Sequence, residues 1–309
     1  MRVGYTVVIA LGGNAILQPG QRGTVAEQRA NIATACEEIA RVLAGGHRVI
    51  LTHGNGPQVG NILLQNEEAR AVVPPATLDA CGAQSQGLIG YLFQQELQRR
   101  TGRPAVSMVT QVVVDPTDPA FTNPNKPVGP FYTPDAALRL QEERGWAMKE
   151  DAGRGWRRVV PSPQPRRVVE VEAIRRLADA GSLVVACGGG GVPVAEDAGT
   201  LSGLEAVIDK DLTASVLARE LGAELLVILT DVEAVALHYG RPEQRLLGAA
   251  TVAEMERHAA DGHFRAGSMR PKVEAVVRFV RGGGQRAAIA SLARAAEAVA
   301  GSAGTQVTL

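Results

Sequence analysis

The chain has 309 residues and carries 32 acidic and 32 basic side chains, so its formal net charge is zero. This balance argues against a nucleic-acid binder that relies on bulk positive charge. An apolar fraction of 45% with 21% charged residues excludes a mainly disordered chain. Only four of the 32 basic residues are lysines, so arginine serves as the ordinary surface cation and each lysine is a candidate for a special role.

Short apolar runs, typical of buried strands, alternate along the chain with longer amphipathic runs, typical of helices. In chain order the predicted strands are 7–11, 48–52, 105–114, 183–187, 225–229, 286–290 and a final edge strand at 306–309. The predicted helices are 26–44, 57–70, 84–100, 171–180, 212–221, 252–260, 271–281 and 293–300. This order predicts an α/β fold with a mostly parallel sheet that is covered on both faces.

Two segments interrupt the alternation of strands and helices. Residues 115–134 contain six prolines, which excludes a regular helix there. Residues 156–169, with the sequence WRRVVPSPQPRRVV, predict a hairpin with an exposed turn. The region 115–169 is therefore predicted to be an insertion that protrudes from the sheet.

Glycines follow three of the predicted strands. Residues 12–14 read Gly-Gly-Asn, residues 54–56 read Gly-Asn-Gly, and residues 188–191 are four glycines in a row. Ligands of open α/β sheets lie beyond the carboxyl ends of strands, where glycine lets backbone N–H groups approach an anion. The P-loop signature does not occur, so a P-loop protein is not expected, and the absence of GxGxxG disfavours nicotinamide chemistry. The pattern predicts a ligand rich in phosphate.

Three of the lysines lie in sequence contexts that suit phosphate chemistry. Lys126 is in the proline-rich insertion, and Lys210 and Lys272 are at predicted helix starts, whereas Lys149 is interpreted as a surface residue. Phosphoryl transfer depends on positioning and charge neutralisation, which lysines at one site would supply. Aspartates on both sides of Lys210 could orient lysines, bind a magnesium complex or cap the helix.

Metal, thiol and membrane signals are weak. The cysteines are Cys36, Cys81 and Cys187, which have no zinc-type spacing and are interpreted as reduced, buried thiols. The five histidines are expected to form no cluster, and His53 is interpreted as structural. There is no GxSxG elbow, no signal-peptide pattern and no apolar run of about 18 residues, so a cytoplasmic protein without a membrane span or a protein-bound metal is expected.

Several longer motifs resemble those of the carbamate kinases, a branch of the amino acid kinase family. The matching strings are ALGGNA at 10–15, THGNGPQVG at 52–60, SQGLIGY at 85–91, VDP at 114–116, NPNKPVGPFY at 123–132, GGGGVPV at 188–194, DKD at 209–211 and GSMRPK at 267–272. The resemblance covers nearly the whole chain. The insertion that bears Lys126 distinguishes this branch within the wider family, and a lysine in the first strand, which many amino acid kinases carry, is absent from this branch and from this chain.

The resemblance implies a three-layer αβα sandwich with a mainly parallel, roughly eight-stranded sheet. It implies one domain over residues 1–309 in two lobes, with carbamoyl phosphate held by 1–180 and the nucleotide by 181–309. It also implies a homodimer and a magnesium-dependent kinase reaction, in which carbamoyl phosphate and ADP give ATP and carbamate. Mg²⁺ would be bound mainly through the nucleotide phosphates.

The resemblance also implies roles for individual residues, which fall into three groups. The catalytic group is Lys126, Lys210 and Lys272, with Asp211 orienting the lysines. The substrate-binding group is Gly12, Gly13, Asn14, Gly54, Asn55, Gly56 and Gly129. The nucleotide-binding group is Gly188, Gly189, Asp209, Thr230, Asp231, Val232, Tyr239, Ser268 and Met269.

Three other functions remain open at this point. Another amino acid kinase acting on a different small acid would need an acceptor pocket large enough for a glutamate-like chain. A non-catalytic nucleotide sensor would not need Lys126. An oxidoreductase is the least favoured alternative, because the glycine signature of nicotinamide binding is absent.

Overall fold

The computed structural model describes residues 4–151, 153–265 and 267–309. The strands of this part of the chain are β1 (Thr6–Leu11), β2 (Arg48–His53), β3 (Ala105–Ser107), β4 (Gln111–Val114), β5 (Lys126–Tyr132), β6 (Met148–Glu150), β7 (Trp156–Val160), β8 (Pro165–Val168), β9 (Leu183–Val185), β10 (Val192–Asp197), β11 (Thr200–Gly203), β12 (Leu225–Thr230), β13 (Ala236–Leu237), β14 (Arg245–Leu246), β15 (Ala249–Thr251), β16 (Arg286–Ser291) and β17 (Thr305–Thr308). The α-helices are α1 (Val25–Ala44), α2 (Gly56–Ala69), α3 (Leu78–Thr101), α4 (Pro134–Arg144), α5 (Val171–Asp179), α6 (Lys210–Leu221), α7 (Val252–Ala260), α8 (Met269–Arg281) and α9 (Ala295–Ala300).

The main sheet, counted over the described residues, has eight strands in the order β15-β17-β16-β12-β1-β2-β9-β3. Every neighbouring pair is parallel except β16 and β17. The predicted α/β architecture with a mainly parallel, eight-stranded sheet is therefore confirmed.

Alternating side chains of the central strands divide the apolar core into two layers. In β1, Val7 and Ile9 point to the layer that includes Phe93 of α3, and Val8 and Ala10 point to the opposite layer. Successive residues of a strand face opposite sides of a sheet, so a strand that is apolar throughout must be covered on both faces. Helices α1, α3 and α9 cover one face, and α5, α6 and α8 cover the other. This arrangement is the predicted αβα sandwich.

The position of β1 in the sheet determines where a ligand can bind. The chain runs from β1 through α1 to β2 on one side, and β12 pairs with β1 on the other side. Loops that leave the carboxyl ends of these strands therefore diverge to either side of β1. In open α/β sheets such a divergence opens the crevice in which ligands bind.

Most of the region 115–169 forms a separate layer beside the main sheet, whereas β8 at its end belongs to a four-stranded sheet. The antiparallel strands of this layer are ordered β5-β7-β6, and α4 packs on β6 and β7. Val128 and Val160 of this layer are buried against Val59 of α2 and Cys81 of α3. A second sheet, ordered β11-β10-β4-β8, lies next to it. The predicted insertion is thus present and is anchored on α2 and α3.

The single strand predicted at 105–114 is wrong. The segment divides into β3, which belongs to the main sheet, and β4, which belongs to the four-stranded sheet. Between them the N–H of Thr110 donates to Gln86 Oε1 at 2.9 Å, and Gln86 Nε2 donates to the Thr110 carbonyl at 3.2 Å. These two hydrogen bonds fix the backbone at Thr110, whose carbonyl also accepts the Val192 N–H of β10 at 2.8 Å, so the chain passes from one sheet to the other there. Apolar periodicity alone carries no sign of this contact.

The hairpin predicted at 156–169 is also wrong. β7 pairs with β5 and β6, whereas β8 pairs with β4 in the other sheet. Prolines at 161, 163 and 165 remove ladder donors from the connection, so the two arms do not pair with each other.

The prediction that the last strand is an edge strand is also wrong, because β17 lies between β16 and the three-residue β15. Across the described ranges, no helix combines the length and the apolar character that a membrane crossing needs.

Candidate active site

A cleft of about 670 Å³ opens at the carboxyl ends of β1, β2 and β12. Its walls come from the loops after these strands, from the start of β5 in the insertion, and from the first turns of α2, α6 and α8. The cleft is therefore at the position that the strand order predicts, with the insertion on one side and the helix starts on the other.

Two glycine loops form the floor of the cleft by close backbone contact. A Cβ built on Gly54 would lie 3.3 Å from the Gly13 nitrogen and 3.5 Å from Cδ of Lys210. Gly189 has φ +66°, and a Cβ there would lie 2.1 Å from Nδ2 of Asn55. Asn55 Nδ2 in turn donates to Ser85 Oγ of α3 at 2.8 Å. Glycine at 189 is thus required by both the backbone conformation and the packing of Asn55.

Three helix N-termini meet at the cleft. Helix α2 begins at Gly56 and α8 begins at Met269, and neither has a side-chain cap within the described residues. Helix α6 is capped by Asp209, whose Oδ1 accepts from the Asp211 N–H at 3.0 Å. Uncapped N–H groups and the positive ends of helix dipoles favour a bound anion.

A buried carboxylate holds two of the predicted lysines. Lys210 Nζ donates to Asp211 Oδ1 at 2.5 Å, and Lys272 Nζ donates to Asp211 Oδ2 at 2.9 Å. The side chain of Asp211 is 5% exposed. Burial alone would raise the pKa of Asp211, but the two ammonium groups hold it below its usual range. Asp211 is therefore ionised at neutral pH.

The pKa values of the two lysines shift in opposite directions, although both lysines share the Asp211 carboxylate. Burial and the neighbouring charge of Lys272 lower the pKa of Lys210, although Asp211 opposes them. Burial also acts to lower the pKa of Lys272, but the charge and hydrogen bond of Asp211 raise it overall. With one carboxylate between two ammonium groups, the cluster keeps a positive charge that a phosphate can neutralise.

Lys126 reaches the same place from the insertion. Its Nζ donates to Asp209 Oδ2 at 2.8 Å, so the first residue of β5 is tied to the N-cap of α6 across the cleft. Each ammonium has three N–H donors, and the contacts of Lys126, Lys210 and Lys272 use one apiece. The remaining donors can bind anion oxygens. Lys149, in contrast, is exposed on β6 and does not line the cleft.

Comparison with known proteins agrees with this geometry. The sequence model of the amino acid kinase family matches residues 5–291. Over 309 residues the chain is 52% identical to the carbamate kinase of Pyrococcus horikoshii, with 98% of each chain covered. It is 46% identical over 309 residues to carbamate kinase 2 of Enterococcus faecalis, with 97% of this chain and 98% of the relative covered. The chain belongs to the carbamate kinases of the amino acid kinase family.

A solved structure of the same family matches in three dimensions. The carbamate kinase of Giardia lamblia bound to AMP-PNP superposes with a TM-score of 0.93 at 46% sequence identity, covering 100% of this chain and 99% of that one. The two proteins therefore share one fold, and the structure of the neighbour was solved with a nucleotide analogue bound.

The structure brings most of the proposed site residues of this carbamate kinase family member together. Besides the three lysines and Asp211, those that line the cleft are Gly12, Gly13, Asn14, Gly54, Asn55, Gly56, Gly189, Asp209, Thr230, Asp231 and Ser268. Asp231 accepts from Thr230 Oγ1 at 3.0 Å and from Asn14 Nδ2 at 3.3 Å. The loops after β1 and β12 are thus joined across the cleft.

Five of the proposed residues do not line the cleft. Gly129 has φ +74° in β5 and backs onto α2, where its backbone is 3.3 Å from the Cβ position of residue 60. Gly188, the first residue of its glycine loop, is buried, and Met269, the first residue of α8, packs against the apolar core. Tyr239 is 58% exposed, and Val232, which precedes β13, is partly buried.

His53 is a buried structural residue, as the sequence indicates. Its ring stacks on Phe93 at 5.9 Å between centroids, and its Nδ1 lies 2.9 Å from the Gly54 carbonyl oxygen. Burial lowers the pKa of His53 to about 4, so the ring is neutral at physiological pH. A neutral ring donates from Nδ1 and holds the Gly54 carbonyl in place.

Sequence reasoning missed two polar contributors to the cleft. Ser85 fixes the amide of Asn55, and the motif at 85–91 that contains it does not by itself indicate a role for the serine. Ser291, the last residue of β16, lines the cleft from the neighbouring strand end. Its position directly after the predicted strand 286–290 was the available signal.

Sequence reasoning was wrong about the histidines. His238, His258 and His263 meet at the end of α7, with ring centroids 4.5 Å and 5.6 Å apart for the two contacts that His263 makes. None of the three lines the cleft. The short spacing of His258 and His263 on the chain was an available signal, whereas His238 joins them only through the fold.

The donors in the cleft fit a magnesium ion that is carried mainly by phosphates. Asp209 and Asp211 are both engaged by lysines, which leaves Asp231 as the carboxylate, among the described cleft residues, that is held only by neutral donors. A hard cation with a few protein contacts and several phosphate or water ligands suits such a donor set.

Proposed function

We propose that this chain transfers a phosphoryl group between carbamoyl phosphate and ADP, yielding ATP and carbamate. The observation that carries the proposal is the convergence of three lysines on one cleft, two of them anchored by buried Asp211 and the third supplied by the insertion. The names of its relatives support the same reaction.

In this reaction a β-phosphate oxygen of ADP forms the new P–O bond. The P–O bond to the carbamoyl oxygen breaks, and carbamate leaves with its electron pair. The protein need not form a covalent bond, since phosphoryl transfer is promoted by alignment and by neutralising charge on the equatorial oxygens. The free N–H groups of Lys126, Lys210 and Lys272 supply that neutralisation.

Asp211 acts as a positioning residue in this proposal. It fixes Lys210 and Lys272 at 2.5 and 2.9 Å, so that both ammonium groups point into the cleft without reorganisation during transfer. Lys126 approaches from the opposite wall and closes the ring of positive charge around the phosphoryl group.

The two halves of the chain divide the ligands between them. In residues 1–180, the glycine loops after β1 and β2 hold carbamoyl phosphate, with Gly129 shaping the wall of α2 from behind. In residues 181–309, Asp209, Thr230, Asp231 and Ser268 contact the nucleotide, and Gly188 and Gly189 shape the floor. Val232, Tyr239 and Met269 flank the nucleotide side outside the cleft lining.

Mg²⁺ supplies further charge neutralisation between the phosphates when it is bound with the nucleotide. Asp231 is the protein carboxylate that would contact this ion or its waters, because Asp209 and Asp211 serve the lysines.

We also propose that the chain forms a homodimer, as the family resemblance implies. Sedimentation equilibrium tests this, and a monomer at all concentrations would contradict it.

The test of the reaction is a coupled assay of ATP formation from ADP, Mg²⁺ and carbamoyl phosphate. In parallel, ATP consumption is measured with N-acetylglutamate as acceptor. The proposal expects ATP formation and no phosphorylation of the larger acid. Rapid turnover of N-acetylglutamate would identify another amino acid kinase, and ADP binding without either reaction would identify a sensor.

A further inference from the structure

A group of metal-ligating side chains lies at the end of α7, away from the phosphoryl-transfer cleft. His258, Asp261 and His263 each place one ligand atom within 4.8 Å of the others. Both histidines are partly buried and Asp261 is exposed. None of the three lines the cleft, and the proposed reaction does not use them.

The backbone around these side chains is held by hydrogen bonds. The Asp261 N–H donates to the Arg257 carbonyl at 2.9 Å, and the His263 N–H donates to the His258 carbonyl at 3.1 Å. Gly262, with φ +77°, makes the turn between them. The next side chain, Phe264, is buried in the core. The three ligands therefore project from a backbone that is already held in place, so binding of an ion has to order only their side chains.

Two imidazoles and a carboxylate select a particular class of ion. Nitrogen ligands suit Zn²⁺ and other late first-row divalent ions, whereas Mg²⁺ prefers oxygen donors. Zn²⁺ bonds of about 2.0–2.2 Å place neighbouring ligand atoms about 3.4 Å apart in a tetrahedral site. Closing the separation from 4.8 Å requires inward movements on the order of 1 Å. Rotation of exposed Asp261 can provide much of this movement.

We propose that His258, Asp261 and His263 bind a Zn²⁺ ion at a site distinct from the phosphoryl-transfer cleft. A water completes the tetrahedral coordination on the exposed side, as in zinc sites with three protein ligands.

The nitrogen donors of the site are the imidazoles of His258 and His263, which lie within reach of one ion together with Asp261. Thiols do not compete for the ion, because Cys36, Cys81 and Cys187 are buried and burial raises the pKa of each.

Metal binding would also change a hydrogen bond of the loop that carries His238. The His238 N–H donates to His263 Nδ1 at 3.4 Å, close to the long limit of a hydrogen bond. A neutral imidazole has one lone pair, so binding of Zn²⁺ by His263 replaces this contact. The backbone amide of His238 is therefore released, and its hydrogen exchange should become faster in the zinc-bound protein.

Calorimetric titration of the metal-stripped full chain with Zn²⁺, without nucleotide and with excess Mg²⁺, tests the proposal. One equivalent of Zn²⁺ should bind, and His258→Ala and His263→Ala should each weaken binding by about tenfold or more. Asp261→Asn, which keeps the side-chain volume, should also weaken it. His47→Ala removes a histidine that stacks on Tyr5 outside the cluster and serves as the matched control, with unchanged affinity.

X-ray absorption of the zinc complex supplies an independent readout. Nitrogen and oxygen ligands with imidazole scattering support the site, and sulfur ligands would overturn it. Equal zinc affinity in the wild type and in folded Asp261→Asn, His258→Ala and His263→Ala would also overturn it. Displacement of the zinc by Mg²⁺ would place the ion in an oxygen site and contradict the proposal. No step of this test depends on kinase activity.

Discussion

The substitution Asp211→Asn tests the charge cluster on which the site is built. It keeps the shape of the side chain but leaves Lys210 and Lys272 without their shared counter-ion. Breaking a buried ion pair by removing one partner costs roughly 3–5 kcal/mol. Because the side chain of Asp211 is 5% exposed, water cannot replace the lost charge, and we expect a loss of free energy of unfolding in this range. The helix cap is not part of the loss, since Asp209 accepts from the backbone N–H of residue 211.

Urea unfolding at pH 7, followed by circular dichroism, measures this loss. Asp135→Asn is the matched control, because Asp135 occupies the same position of its helix, the second residue of α4, and is exposed. It should change stability by less than about 1 kcal/mol. The lowered pKa of Asp211 means that its contribution is present above the unfolded value of about 3.9 and is lost as the pH falls through the folded value. The difference between wild type and Asp211→Asn should therefore persist from pH 8 to pH 5 and shrink below about pH 4.

Turnover provides the second readout for Asp211→Asn. Two lysines without a fixed orientation should lower kcat by roughly a hundredfold or more, the scale of losing one preorganised electrostatic donor. A variant that unfolds within about 1 kcal/mol of the wild type and turns over normally would refute both the buried-charge argument and the positioning role.

Two further predictions concern the floor of the cleft. Gly189→Ala should push Asn55 away and destabilise the fold by more than the roughly 1–2 kcal/mol that backbone strain alone costs. The control is Gly102→Ala, where φ is +65° and the space around the residue is open, so only the strain should appear. Equal losses of stability in thermal unfolding of the two variants would contradict a role for the contact with Asn55. Because burial lowers the pKa of His53 to about 4, below its unfolded value near 6.5, the folded state is penalised as the pH falls between these values. The free energy of unfolding should fall by about 2 kcal/mol from pH 6.5 to pH 4.5 through this group, and a His53→Gln variant with the same slope as the wild type would contradict the argument.

The layers of the fold were predictable from the sequence because their signal is local. The central strands are mainly apolar, and the covering helices have apolar stripes, so the order of elements predicts a parallel sheet with two covered faces. The exceptions have non-local causes. The division of β3 from β4 depends on the side chain of Gln86, and the separation of β7 from β8 depends on partners in different sheets.

The candidate site was predictable in part. The glycine loops are recognisable in the sequence because they follow predicted strands, and the scarcity of lysine indicates Lys126, Lys210 and Lys272 as candidates. Spacing could not show that Lys126 would meet Asp209 across 83 positions of sequence or that Asp211 would bridge the other two lysines. In the histidine cluster the same reason applies to His238 alone, which reaches His263 through the fold, whereas His258 and His263 are close in sequence.

The central claim is that the lysine of the insertion acts on the transferred phosphoryl group. The most direct measurement compares kcat for ATP formation with the affinity for ADP in Lys126→Ala and in Lys149→Ala, whose lysine is exposed in the same insertion. The account predicts that Lys126→Ala loses roughly a hundredfold or more in kcat with nearly unchanged ADP affinity, while Lys149→Ala behaves as the wild type. Normal turnover in a folded Lys126→Ala variant would contradict it.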